Sequence, residues 1–312
     1  MDNTAKLIYR IAKSYYEDGL TQHEIGRKFG LSRIKVSRLL KEAVKSGAVK
    51  IMIFEPKSAE IVKLEEEIEQ KYSIDEVVIV ESSDFSYENT LTNIGRAAAN
   101  YLDRILRGDE TIALAWGNTI HSLVEALPRK NFYNLKIVQL MGGLGASGHE
   151  AYGTNLIIRA AHELGGKEYI LASPGGLPTK ELRDVLLNDP QVSETLKMAM
   201  AADIAIVGLG SPKMTLPAIS AGIISKNDLD SVIKNGAVGD VCLHFIDAEG
   251  EVVNSDLEDR IVAISLDSLK NIPKTIGLAG GVQKFEIVKA ALTGNIVDVL
   301  ITDSELGEKL VE

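Results

Sequence analysis

The sequence predicts an α/β protein: a small N-terminal (winged) helix-turn-helix module, then a mostly parallel, doubly wound α/β domain. Three observations predict it. Two short helical patterns meet at a Gly-Leu step in "LTQHEIGRKFGLSRIKVSRLLKEA" (20–43). From Glu76 onward, short β-branched runs alternate with longer helical ones, the pattern of a parallel sheet covered on both faces. The charge is also divided between two parts of the chain. Residues 1–56 hold 11 Lys/Arg against 6 Asp/Glu, whereas the rest holds 23 against 38, so a basic module sits on an acidic body.

The expected organisation is a DNA-binding module over 1–55, a linker helix over 56–75 that serves oligomerisation, and a ligand-binding domain over 76–312. In the first, Ile25 and Phe29 point from one helix into the core, Gly26 permits close approach of the second, and Gly30 supplies the turn. Leu31, Val36 and Leu39 bury the second helix, and Thr21 and Ser32 are N-caps. Ser32, Arg33, Lys35, Ser37, Arg38 and Lys41 are left on the open face of helix 32–46, with Gln22 at the first position of the motif. A solvated basic face is the bland alternative. Short hydroxyls and long cations in this spacing favour a helix lying in the major groove, with Arg33 or Arg38 reaching base edges. A short strand or wing, "AVKIMIFEP", follows.

A hinge at 56–58 opens "AEIVKLEEEIEQKYSI", in which Ile61, Leu64, Ile68 and Tyr72 share one helical stripe. This helix either docks on its own domain or pairs with a second subunit; spacing does not separate the two. Strands are then expected over 77–80, 111–116, 135–141, 169–172, 203–210, 241–247, 260–265, 275–281 and 297–303, with helices over 88–106, 151–165 and 282–293 among those between them.

Three Gly-rich turns follow expected strands: "AWGNT" (115–119), "LMGGLGASG" (140–148) and "LAGGVQK" (278–284). Each alone is ordinary α/β loop chemistry. Together they mark strand C-termini, where open α/β sheets bind ligands. The N–H groups of Gly117, Asn118 and Thr119 and the Thr119 hydroxyl suit a phosphate, with Lys284 as a nearby cation. Asp240 accepts sugar hydroxyls or caps a turn, and Arg260 is a ligand-facing cation or a surface ion-pair partner. Trp116 either stacks on a ligand ring or belongs to the core.

Several function classes have no support. The five histidines lack metal-ligand spacing, so no metal site is expected, and His244 reads as a satisfied core residue. There is no nucleophile elbow, and the single Cys242 lies in an apolar run. No NTP-binding Gly-Lys-Ser/Thr loop occurs, and no cofactor is expected. One cysteine, no apolar run of the ~18–20 residues a membrane span needs, and a start unlike a signal peptide lead to a cytoplasmic expectation with no membrane partner.

These residues together resemble the SorC family of sugar-responsive bacterial transcriptional regulators. The resemblance rests on "GLTQHEIGRKFGLSRIKVSRLLKEAVKSGAVKI", "WGNT", "LMGGLG", "LLNDPQVSETLKMAMAADIAIVGLG", "GAVGDVCLHFIDAEG" and "AGGVQKFEIVKAALTGNIVDVLITD", in this order along essentially the whole chain. It implies an effector domain like ribose-5-phosphate isomerase and glucosamine-6-phosphate deaminase, a phosphorylated sugar as effector, and assembly as a dimer or tetramer. Motif by motif it carries over the effector loop Gly117, Asn118 and Thr119, the pair Gly142 and Gly143, the acid Asp240, and Lys284 after Gly280 and Gly281. The expected function is a DNA-binding regulator of an operator, controlled by that sugar phosphate and not an enzyme. The rival is an isomerase or deaminase with Asp240 as base and Lys284 as electrophile, which lacks an assigned second acid.

Overall fold

The computed structural model describes residues 3–49, 59–81, 86–143, 153–214 and 216–312, which fall into two compact units, 1–59 and 60–312. In the small unit, α1 (Asn3–Tyr16), α2 (Gln22–Phe29) and α3 (Arg33–Lys45) enclose Ile11, Ile25, Val36 and Leu40. Thr21 caps α2 through a reciprocal box: its hydroxyl accepts the Glu24 N–H (3.3 Å), and the Glu24 carboxylate accepts the Thr21 N–H (2.8 Å). Gly30 ends α2 at φ 67°, a left-handed C-cap. A Cβ on Gly26 would stand 2.6 Å from the Leu31 carbonyl oxygen, so only glycine allows the α2–α3 corner to close this tightly. The buried face of α3 is Val36, Leu40 and Ala43, with Leu39 half-buried. Leu40 therefore takes the inner place expected for Leu39, which packs half-buried beside it. The wing expected over 48–56 and the hinge at 56–58 lie, from residue 50, outside the described residues.

The large unit is built on β1 (Glu76–Val80), β2 (Thr111–Leu114), β3 (Lys136–Gln139), β4 (Lys167–Tyr169), β5 (Ile204–Gly210), β6 (Gly239–Val241), β7 (His244–Ile246), β8 (Thr275–Leu278) and β9 (Val299–Asp303). Seven of these strands run parallel in the order β1-β9-β8-β5-β2-β3-β4, and the hairpin β6–β7 adds antiparallel to the end of β5. The helices are α4 (Ala59–Tyr72), α5 (Tyr87–Ile105), α6 (Asn118–Ala126), α7 (Thr154–Leu164), α8 (Lys180–Leu187), α9 (Pro190–Met200), α10 (Pro217–Ser220), α11 (Lys226–Lys234), α12 (Leu266–Lys270), α13 (Phe285–Thr293) and α14 (Ser304–Val311). The strand order reverses between β2 and β5: the chain winds outward through β3 and β4, then returns on the other side of β2. A crevice opens at such a reversal, at the carboxyl ends of the strands.

Three expected strands differ, the first being 169–172, which shares only Tyr169 with β4 (Lys167–Tyr169). The run 241–247 is broken into β6 and β7 by a two-residue turn at Cys242 and Leu243, both left-handed at φ 52° and 72°. The run 260–265 makes only isolated bridges, at Ile261 and Ala263. Helix α4 coincides with the periodic stripe. Ile68 is fully buried, and Ile61, Leu64 and Tyr72 pack on the domain core. The Glu65 and Glu69 carboxylates accept the Ile79 and Val77 N–H groups at 2.8 Å each, covering the free edge of β1. Lys71 and Tyr72 donate to the Leu310 carbonyl at 2.9 and 3.1 Å. Of the two roles left open by spacing, docking on its own domain is realised by these contacts.

Candidate functional site

The Ser32 hydroxyl caps α3 by accepting the Lys35 N–H at 3.3 Å, which fixes where the helix begins. Ser32, Arg33, Lys35, Arg38 and Lys41 are exposed, and Gln22 and Ser37 are half-buried. Arg33, Lys35, Arg38 and Lys41 have no ion-pair partner among the described residues, which leaves their charges available to phosphate. Sequence reasoning passed over Ile34, which stands 69% exposed in the first turn of α3 among these cations. Its signal was its phase: it falls on the face opposite Val36 and Leu40.

In the large unit a cavity of about 300 Å³ occupies the crevice between β2 and β5. Its floor is the β2-to-α6 turn, where Trp116, Gly117, Asn118 and Thr119 line it; no side chain caps α6, whose preceding Gly117 has φ 138°. The end of β5 contributes Gly208, Gly210 and Ser211, the hairpin contributes Asp240, Cys242 and Leu243, and Tyr87, Met141 and Lys284 complete the polar and apolar walls with residues around α10. Gly210 passes so close to Asp240 that a side chain there would collide with the carboxylate.

Lys284 ends the 3-10 turn Val282–Lys284 before α13 and is only 6% exposed. Its ammonium has no hydrogen-bond or ion-pair partner among the described residues. Burial pushes it down to about 8, against the pull of the Asp240 and Asp303 carboxylates. Burial pushes Asp240 up to about 6; the Leu243 N–H, which donates to Asp240 Oδ2 at 3.3 Å, and the Lys284 and His244 charges oppose the shift. Asp303 is buried at the end of β9, where its Oδ2 accepts the Gly281 N–H (2.6 Å) and its Oδ1 accepts the Leu306 N–H (3.1 Å), capping α14. The Ser211 hydroxyl donates to the Gln283 carbonyl at 2.8 Å and so ties the lysine-bearing turn to β5.

Gly117, Asn118, Thr119, Asp240 and Lys284 thus meet in one cavity. Gly142, Gly143, Gly280, Gly281 and Arg260 do not line it. The Gly142 and Gly143 N–H groups are taken by the Val262 and Ser173 carbonyls, and Gly281 donates to Asp303, so these glycines shape the loops. Arg260 is bonded to Asp228 and to the Leu177 and Asp256 carbonyls, so of its two readings the salt-bridge partner is the one observed. Residues 144–148 of the second Gly-rich turn lie outside the described residues. Trp116 is both buried and lining: its indole N–H donates to the Gly142 carbonyl at 3.1 Å. His244 is held by Glu258 and by the Ile264 carbonyl, each at 2.8 Å. Cys242 is not in a strand but at the hairpin turn, and burial pushes its thiol up, away from reactivity. Sequence reasoning missed Tyr87 and Ser211, which carry no local motif, and Asp303, whose one local signal is its N-cap position before α14.

Residues 57–312 match the model of the Sugar-bind family, a sugar-binding domain, and residues 10–46 match that of sigma-70 region 4. The chain is 29% identical over 309 residues to the sorbitol operon regulator of Klebsiella pneumoniae, covering 98% of each. It is 32% identical over 304 residues to the transcriptional regulator LsrR of Enterobacter sp. (strain 638), covering 96% of this chain and 90% of that one. The crystal structure of full-length SorC from K. pneumoniae superposes with a TM-score of 0.76 at 28% identity, over the whole of both chains. Fold, helix-turn-helix and likeness define a DNA-binding transcriptional regulator with a sugar-binding domain, and not an isomerase or deaminase. The chain belongs to the SorC family. Among the described residues no helix is long and apolar enough to cross a membrane.

Proposed function

We propose that this regulator binds a phosphorylated sugar in the β2–β5 cavity and that the ligand controls its hold on operator DNA in the cytoplasm. The observation that carries this reading is Lys284: a buried lysine whose ammonium makes no hydrogen bond or contact ion pair among the described residues, in a cavity whose floor is an uncapped helix N-terminus. Burial costs this cation more than Asp240 and Asp303 return, and a dianionic phosphate between it and the first N–H groups of α6 offsets that cost. Asp240, partly open to the cavity, accepts the sugar hydroxyls.

The signal leaves the cavity by a short route. Asp303 lies close enough to act on the Lys284 charge and also caps α14, whose last carbonyls accept Lys71 and Tyr72 of α4. Helix α14 therefore spans from the ligand cation to the segment that continues into the DNA-binding unit. In a homo-oligomer, dimer or tetramer, a shift of α4 alters the spacing of two recognition helices, which must match half-sites about 34–36 Å apart or a multiple of it. The ligand moves that equilibrium only by its differential affinity for the two arrangements.

The test is a thermal-shift screen of the full chain with matched sugars bearing or lacking phosphate. At 100 times its dissociation constant a ligand stabilises the native state by ~2.7 kcal/mol. A phosphorylated member should raise the transition, its unphosphorylated partner should not, and Lys284→Met should abolish the shift while remaining folded. A shift by free sugars alone, or one that survives in Lys284→Met, would sink the assignment.

A further inference from the structure

The geometry points to Ile34 as a base-reading residue that selects thymine by its 5-methyl group. Ile34 is the second residue of α3, and the N-terminal residues of a recognition helix are those that meet base edges. At about 100° per residue, Ala43, Val36 and Leu40 lie about 180°, 200° and 240° around the helix from Ile34, whereas Arg38 and Lys41 lie within about 40° of it. The side chain therefore stands at the centre of the outward face, 69% exposed, flanked by cations and by no other outward apolar residue in the first two turns. A helix seated there by the flanking cations Arg33 and Lys35 on phosphates brings Ile34 onto the floor of the groove, beside Arg38 and Lys41.

The chemistry of that floor decides what Ile34 recognises. Every base edge in the major groove offers hydrogen-bond donors or acceptors, and thymine alone adds an apolar group. Isoleucine cannot replace the water lost by the amino group of cytosine or adenine, so it disfavours them, and against a thymine methyl it buries carbon on carbon. The occupant is thus the methyl group of one thymine in each half-site. The Ser32 cap fixes the start of α3, so Ile34 has one height in the groove and reads one position.

The experiment uses the full-length protein and Ile34→Ala, with binding sites enriched from a randomised duplex library. The enriched duplex is resynthesised with deoxyuridine replacing each thymine in turn, and affinities are read by fluorescence anisotropy at one fixed salt concentration. For the wild type, one thymine per half-site should weaken binding by about fourfold when its methyl is removed, the value of one buried methyl. In Ile34→Ala that thymine and deoxyuridine should bind alike, while Ile34→Val keeps part of the difference. The exposed site makes both variants fold with unchanged melting temperature. No methyl-dependent position in the wild type, or the same dependence in Ile34→Ala, overturns the inference. So does a loss of assembly in Ile34→Ala with the methyl dependence intact, since Ile34 would then face another copy of the chain.

Discussion

Lys284 and Asp240 are each displaced from their ordinary values towards the neutral form, and this sets a pH window for the site. Between about 8 and 10.5 the unfolded chain holds a proton on Lys284 that the native chain has lost, so stability rises with pH across that range. Between 3.8 and about 6 the native chain holds a proton on Asp240 that the unfolded chain has lost, so stability falls as pH rises. From about 6 to about 8 both groups are charged, and the ligand-free protein bears the full burden of burying them. Sugar-phosphate affinity should peak in this window and fall as pH rises beyond about 8, where the ammonium is lost. Lys284→Met should be more stable than the wild type by about 1–3 kcal/mol at pH 7, an advantage that shrinks towards pH 10.5. Urea unfolding of both proteins against pH checks the sign.

At the scale of elements, α14 and α4 act as one clasp. Helix α14 is tied at its N-terminus by Asp303 and at its C-terminus by Lys71 and Tyr72, and Gly307 lets Ile79, Leu64 and Ile68 close against it. The Glu65 and Glu69 carboxylates bind the same helix α4 to the β1 edge. Severing only the α14 end should uncouple ligand from DNA without harming either site. Lys71→Met with Tyr72→Phe is expected to bind the sugar phosphate within about threefold of wild type, and to lose at least fivefold of the effect of ligand on DNA affinity. Calorimetry measures the first and anisotropy with and without ligand the second; an undiminished effect would exclude this route.

At the scale of the molecule, two units with separate cores divide two tasks. Among the described residues the small core is seven buried side chains in two clusters, Ile11, Ile25, Val36 and Leu40 in one and Ile8, Ala12 and Ala43 in the other, so one truncation weighs heavily there. Ile25→Ala should remove about 2–4 kcal/mol from the small unit and abolish DNA binding, while the large unit keeps its ligand-induced thermal shift. Calorimetric scans with and without ligand test this, and loss of both functions together would contradict independent cores. The net charge of −10 is no obstacle to DNA binding, because the acidic excess lies beyond residue 56 and confines phosphate contact to the basic end.

Periodicity and capping chemistry act over about four residues, and whatever depends on them was legible in the sequence. The spans of α2, α3 and α4, the positions of β1, β2, β3 and β5, the basic outward face and the Gly-rich turns all follow from neighbours along the chain. The break at Cys242 and Leu243 was not legible, because neither residue is a turn former, yet both take the left-handed backbone that a two-residue hairpin turn needs. The Asp228 partner of Arg260, the Ser211 tie, the Asp303 bond to the Gly281 N–H and the choice of Gly117 over Gly142 as cavity wall also came only with tertiary structure. These depend on which strands lie side by side, and the reversal between β2 and β5 is a property of chain crossover that no local pattern encodes. Local patterns alone place a basic helix in the N-terminal module and an α/β domain after it; the order of the strands decided which charged groups of that domain line one cavity, because strand neighbours are set by crossovers and not by adjacent residues.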